Sequence, residues 1–243
     1  MQTSNPVFRN DPFTKAPAIG AAMTVGGSVW KTFFLLMLAV VTASATWVIY
    51  ASGQNLAIPA AVGAAFLGFI LAMVISFKPT WAAVLAPVYA LVEGVFLGGI
   101  TAIMNQRYPG IALAAAGGTV ATLAALLFAY QSGLIRATDN FKRGVIAATL
   151  GIALFYMVAM VLQLFHVQIP GVFGSGLIGI GFSVFVVAIA ALNLVLDFDR
   201  IEQGAREGAP KYMEWYAAFG LMVTLVWLYI EILRLLAKLS DRR

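Results

Sequence analysis

An all-α fold, a bundle of seven membrane-crossing helices, is what three observations predict for this chain of 243 residues. The chain is 62% hydrophobic before its 23 glycines are counted. Only 10% of its residues are charged, against roughly 25% in an ordinary soluble domain. Its apolar residues fall into seven runs of about 20, the length that crosses the hydrocarbon core of a bilayer. A soluble protein of this size leaves a broad exterior that such a composition cannot cover with polar groups. These numbers exclude a cytosolic enzyme, a nucleic-acid-binding domain and a secreted disulfide scaffold. The partner they imply first is the lipid bilayer.

The spans run over about 30–51, 57–77, 81–103, 110–130, 145–166, 172–196 and 215–237. The domain organisation expected from them is an N-terminal tail over 1–29, a membrane domain over 30–237 and a short tail over 238–243. The first 29 residues are polar and then Gly/Ala-rich, without the apolar core of a secretory signal. The loops are short, so consecutive helices are expected to be antiparallel neighbours, and the chemistry must sit in the bundle or its loops. Span two carries Ala60, Ala64, Gly68 and Ala72 at intervals of four. Span three carries Gly94 and Gly98, with Pro87 earlier in the same span. Span six carries Gly171, Ser175, Gly179 and Ser183. Small residues on one face let helices approach closely in lipid, where hydrophobicity alone does not hold them together. Such rows serve either static packing or gliding surfaces. Pro87 lacks an N–H and frees a carbonyl one turn earlier. Trp30, Trp81 and Trp215 at span ends suit interfacial anchors.

Orientation follows from the basic residues. The tail and the second, fourth and sixth loops carry ten of the 15 Lys and Arg, and the opposite side carries five. The expectation is a cytoplasmic N-terminus and an external C-terminus.

The available chemistry is narrow. With zero Cys and one His, His166, neither a thiolate site nor a His-built metal site is expected, and no cofactor. A retinal pigment needs a lysine deep in the last span, and Lys238 lies past its expected end. A serine hydrolase reading rests on Ser175 and His166 alone. An aspartyl protease needs a second intramembrane Asp that the spans lack. What remains is intramembrane acid, which is costly in lipid and points to function. Glu93 sits about 18 Å along its span, near the midplane, with no Lys or Arg within a helical turn. A hydrogen-bonded packing role is its structural alternative. Glu231 lies in the last span with Arg234 three residues on, the spacing of an internal ion pair. Its expected height is within about one turn of that of Glu93, so that the two could line one polar path. Asp197 and Asp199 leave span six, followed by Arg200, Glu202, Arg206, Glu207, Lys211 and Glu214 in the loop. Close carboxylates shift each other's titration and can latch a gate. A solvated, self-neutralising cluster is the alternative.

Three motifs in order carry a resemblance: E-G-V-F-L-G over 93–98, L-D-F-D-R-I over 196–201 and I-L-R-L-L over 232–236. With seven short-looped spans, the chain resembles the Bax inhibitor, or transmembrane Bax-inhibitor-motif, family over about 24–240, and within it the bacterial branch. The resemblance implies an integral multi-pass protein of the bacterial inner membrane that conducts a proton-sensitive cation leak, typically of calcium. It implies that an Asp ending helix six pairs with an Asp in helix seven as the pH sensor. The first position matches Asp197. Counting from Arg234, the second falls on Thr224, where the acid is missing. A basic residue ending helix two is matched by Lys78. Asp199 or Glu214 could stand in for the missing acid, or Asp197 could work with Lys78 or Arg200. The expected function is a non-enzymatic, pH-sensitive cation leak acting on calcium or protons. A non-conducting scaffold or modulator of membrane-protein quality control, with membrane-protein partners, is the second reading, and an intramembrane hydrolase the third.

Overall fold

The computed structural model describes residues 21–53, 57–165 and 171–242. Among them are seven long helices and no strand. They are α1 (Val25–Ala51), α2 (Ala57–Phe77), α3 (Ala82–Arg107), α4 (Ile111–Gln131), α5 (Asp139–Leu164), α6 (Leu177–Arg206) and α7 (Met213–Ser240). A single 3₁₀ turn, Pro79–Trp81, joins α2 to α3. Each long helix is apolar and long enough to cross a membrane. Many of their large apolar side chains stand exposed, among them Phe66, Phe69, Phe77 and Leu113 at 66–80%. In water that surface would aggregate; against acyl chains it is at home.

Helix ends depart from the hydropathy reading for local reasons. Helix α1 starts five residues early because Thr24 caps it, its hydroxyl accepting from the Gly27 N–H at 3.0 Å. Helix α5 starts at Asp139 behind the cap Thr138, with Asp139 against the positive end of the helix dipole. Helix α6 does not end at its last apolar residue. It continues through Asp197, Asp199, Arg200 and Glu202 to Arg206, so that the charged stretch expected in a loop is largely helical. An Arg206–Glu202 pair supports that last turn. The row expected on span six is broken, because Gly171 and Ser175 precede the helix and only Gly179 and Ser183 belong to it. Gly171 adopts φ +87°, a left-handed turn that a helix cannot contain. Pro87 lies inside an unbroken α3. Helix α7 runs to Ser240, so Lys238, expected beyond the span, is helical and buried.

The chain divides into two compact units, and α3, α6 and α7 each contribute a segment to both. The first comprises residues up to 102 and 199–222. Its buried face on α2 keeps Ala64 and Gly68 of the expected row and adds Ala61 and Ile75, while Ala60 is exposed and Ala72 only partly buried. Helices α1 and α3 pack closely in it. A side-chain carbon on Gly94 would strike Thr42 and Ala39, and one on Gly98 would strike Ala43 and lie 2.9 Å from Thr46 Cβ. The second unit comprises 103–198 and 223–243. Its buried positions include Ile111, Ala115, Val145, Ile152, Val186, Leu194, Leu228 and Leu233. A carbon built on Gly118 there would lie 3.4 Å from Ile232 Cγ2, ordinary contact.

Candidate functional site: polar groups inside the bundle

In the first unit, Glu93 is buried on α3. Tyr89, one turn earlier, is its side-chain hydrogen-bond partner, and the Tyr89 ring packs edge-on to Phe219 at 5.0 Å. Helix α2 approaches at Gly68, whose missing side chain leaves room for the carboxyl. A carbon built there would sit 2.9 Å from Glu93 Oε2. Lys78 ends α2, exposed, its ammonium 4.6 Å from the centre of the Trp81 ring. Asp199, partly buried on α6, belongs to the same unit.

From the sequence Glu214 is one acid of the loop cluster and a candidate stand-in for the missing carboxylate. The structure makes it the polar centre of the first unit. Its side chain is fully buried. Its carboxylate accepts from the backbone N–H and hydroxyl of Thr24, both at 2.9 Å. It accepts from Lys211 Nζ at 2.8 Å and from Lys31 Nζ. The same residue that caps α1 thus ties its start to the start of α7. Gly27 is bare because any side chain there would occupy the carboxylate's place. Nearby, Met23 N–H donates to Ala209 O at 2.7 Å. Trp215 meets Phe34 edge-on and lies under the Lys31 ammonium at 5.3 Å. A separation of 190 residues hid the Thr24–Glu214 contact from any local pattern.

In the second unit, Asp197 and Thr224 meet. The Thr224 hydroxyl donates to Asp197 Oδ2 at 2.6 Å, joining α6 to α7. Four residues earlier on α6, Asn193 Nδ2 donates to Thr149 of α5 at 2.7 Å. Towards the C-terminal end of α7, Arg234 Nη1 donates to Glu231 Oε1 at 2.9 Å and to the Tyr156 hydroxyl at 2.6 Å. Tyr156 donates in turn to Glu231 at 3.1 Å. The expected Glu231–Arg234 pair is therefore present, with a tyrosine of α5 as its third member.

Asp241 gathers a last cluster. It accepts from the Tyr108 hydroxyl, from Arg107 Nη2 at 3.2 Å and from Ser175 Oγ at 3.1 Å. The Tyr108 hydrogen bond holds the Asp241 carboxyl below the usual range, and the same bond pushes the Tyr108 phenol up. Ser175, the candidate nucleophile, is thus bonded to a carboxylate. Its expected partner His166 lies outside the described residues. Among the described residues no group of three or more His, Asp or Glu could hold a metal ion.

Seven long apolar helices, buried acids paired within them, and exposed apolar faces define a multi-pass integral membrane protein. Residues 5–241 match the family model described as Bax inhibitor 1 like, and the chain belongs to that family. Neither the comparison with curated proteins nor that with solved structures gives a match.

Proposed function

We propose that the protein is a non-enzymatic cation leak whose closed state is held in part by ionised Asp197. Calcium is the ion the family resemblance suggests. The observation that carries the reading is the 2.6 Å bond from Thr224 to Asp197, at the two positions matched to the family's paired acids. A hydrogen bond to a carboxylate is stronger than one between neutral groups, and more so where water is scarce. Protonation of Asp197 weakens the joint between α6 and α7. A threonine cannot share or release a proton as a second carboxyl would, so this joint holds one titrating group rather than a coupled pair. In this reading Asp199, two residues beyond Asp197 on α6, and Lys78, directly after α2, supply charge on the cytoplasmic side. Glu93 is the intramembrane acid of the first unit, and Glu231 with Arg234 the intramembrane ion pair of the second. The N-terminus is cytoplasmic and the host membrane is a bacterial inner membrane.

Purified protein in calcium-loaded liposomes tests the reading. Wild type should leak faster at acid pH. Asp197→Asn should leak at a rate that no longer follows pH, and Thr224→Asp should steepen the dependence. A wild-type pH response in Asp197→Asn refutes Asp197 as the sensor. No flux from wild type at any pH refutes conduction and leaves the scaffold reading.

A further inference from the structure

Lys238 is a buried ammonium whose two bonds in the structure both go to backbone carbonyls. Nζ donates to Val172 O and to Gly179 O, each at 2.9 Å. Other carbonyls of the same segment crowd Gly179 itself. A carbon built on Gly179 would find Gly171 O at 2.9 Å, Val172 O at 3.0 Å and Gly174 O nearer still. The segment before α6 therefore folds its carbonyls over Gly179, and glycine is the residue that permits it. Gly171, at φ +87°, makes the turn. The charged neighbours on α7 are Glu231 and Arg234, which pair with each other. Among the described residues the ammonium is thus hydrogen-bonded to carbonyl dipoles and to no carboxylate.

Neutral carbonyl oxygens at hydrogen-bonding distance from a single positive charge are the ligands a monovalent cation or a primary ammonium takes. A divalent ion asks for six or more oxygens, carboxylates among them. We propose that the carbonyls of residues 171–179 form a monovalent-cation site, and that Lys238 fills it as a tethered ammonium. The tether gives the lysine a high local concentration, so dissolved ions do not displace it while the last turn of α7 is docked. Asp241 keeps that turn docked through Ser175, on the same segment, and through Tyr108 and Arg107 at the end of α3. The inference goes beyond the proposed leak and does not depend on it, since its test reads binding and not flux.

The experiment is cation rescue of Lys238→Ala in detergent. The melting temperature is followed in choline, potassium, rubidium and methylammonium chlorides at equal ionic strength. Choline has no N–H and is too large for the place of an ammonium. Wild type should melt alike in all four salts. Lys238→Ala should melt lower in choline and recover in methylammonium and potassium. The recovery should saturate with concentration and reach roughly 3–6 °C at ten times the dissociation constant. A variant that melts equally low in all four salts overturns the proposal, as does a wild type that gains as much from potassium as the variant. Lys238→Met, which keeps the apolar stem, serves as the second variant. If neither accumulates in choline but either can be isolated in potassium or methylammonium, the site stands. If both fail in every salt, a free cation cannot replace the lysine, and the proposal falls.

Discussion

Replacing Gly98 by alanine should loosen the contact between α1 and α3. The new carbon would lie 2.8 Å from Ala43 Cα and 2.9 Å from Thr46 Cβ, and closer to the Ala43 carbonyl. Ordinary contact begins at 3.4 Å, so clearing Ala43 Cα alone takes 0.6 Å, the difference between 3.4 and 2.8 Å, and clearing the closer Ala43 carbonyl takes more. The obstacle is backbone, which cannot swing aside as a flexible side chain does. A gap of about 0.5–1 Å forfeits a quarter to a half of the dispersion energy of the contacts it opens. Overpacking of this kind costs about 1–3 kcal/mol. Alanine's better helix propensity returns about 0.5–1 kcal/mol, leaving a net loss centred on about 1 kcal/mol. Gly117 on α4 is the control, since it is exposed and a carbon there meets nothing within 4 Å. Gly117→Ala should be neutral or gain the propensity term alone. Reversible unfolding in mixed micelles, followed by circular dichroism, measures both. A Gly98→Ala protein as stable as wild type, or a Gly117→Ala protein that loses as much, would refute the reasoning.

Glu214→Ala should cost about 3–5 kcal/mol, because it leaves Lys31 and the Thr24 donors facing a dry gap. Glu214→Gln keeps an acceptor and should lose less, and the order of the two melting temperatures checks this. Tyr108→Phe should return the Asp241 carboxyl towards its ordinary range, which carbon NMR of a labelled aspartate reads directly. In wild type the depressed Asp241 favours folding above its unfolded value of about 3.9 and loses that contribution as pH falls through its lower folded value. The raised Tyr108 contributes fully below about pH 10 and loses its contribution as pH rises through its higher folded value. The protection factor of the C-terminal turn, its exchange rate corrected for the intrinsic rate at each pH, should therefore be highest between these limits, and a protection factor flat across both would contradict the cluster. Glu93→Gln should fold with wild-type helicity, because the amide still has Tyr89 beside it and the space at Gly68. In liposomes it should alter the flux, and unchanged flux at every pH would make Glu93 a packing residue.

The seven helices were legible in the sequence because lipid demands about 20 apolar residues per crossing, a demand that acts on each segment separately. The Glu231–Arg234 pair was legible for a similar reason: a spacing of three on a helix already sets the two side chains on one face. The match of Thr224 to Asp197 came from the family resemblance, since nothing local reports a bond between residues 27 positions apart. The end of α6 was misplaced because hydropathy stops at Leu196, while a helix needs only backbone hydrogen bonds and compatible charges to reach Arg206.

The sequence by itself determined the solvent, the number of crossings and the scarcity of charge, because these depend on composition and on local runs. Only the tertiary structure decided which charges matter to one another. Glu214 looked like one acid among several in a solvated loop; the return of α7 beside the start of α1 makes it the buried partner of Lys31 and Thr24. Lys238 looked like a tail residue, and the fold gives its ammonium two backbone carbonyls, Val172 O before α6 and Gly179 O in its first turn. Local sequence cannot encode such meetings, because a buried charge is satisfied by whatever donor or dipole the packing of distant helices brings within hydrogen-bond reach.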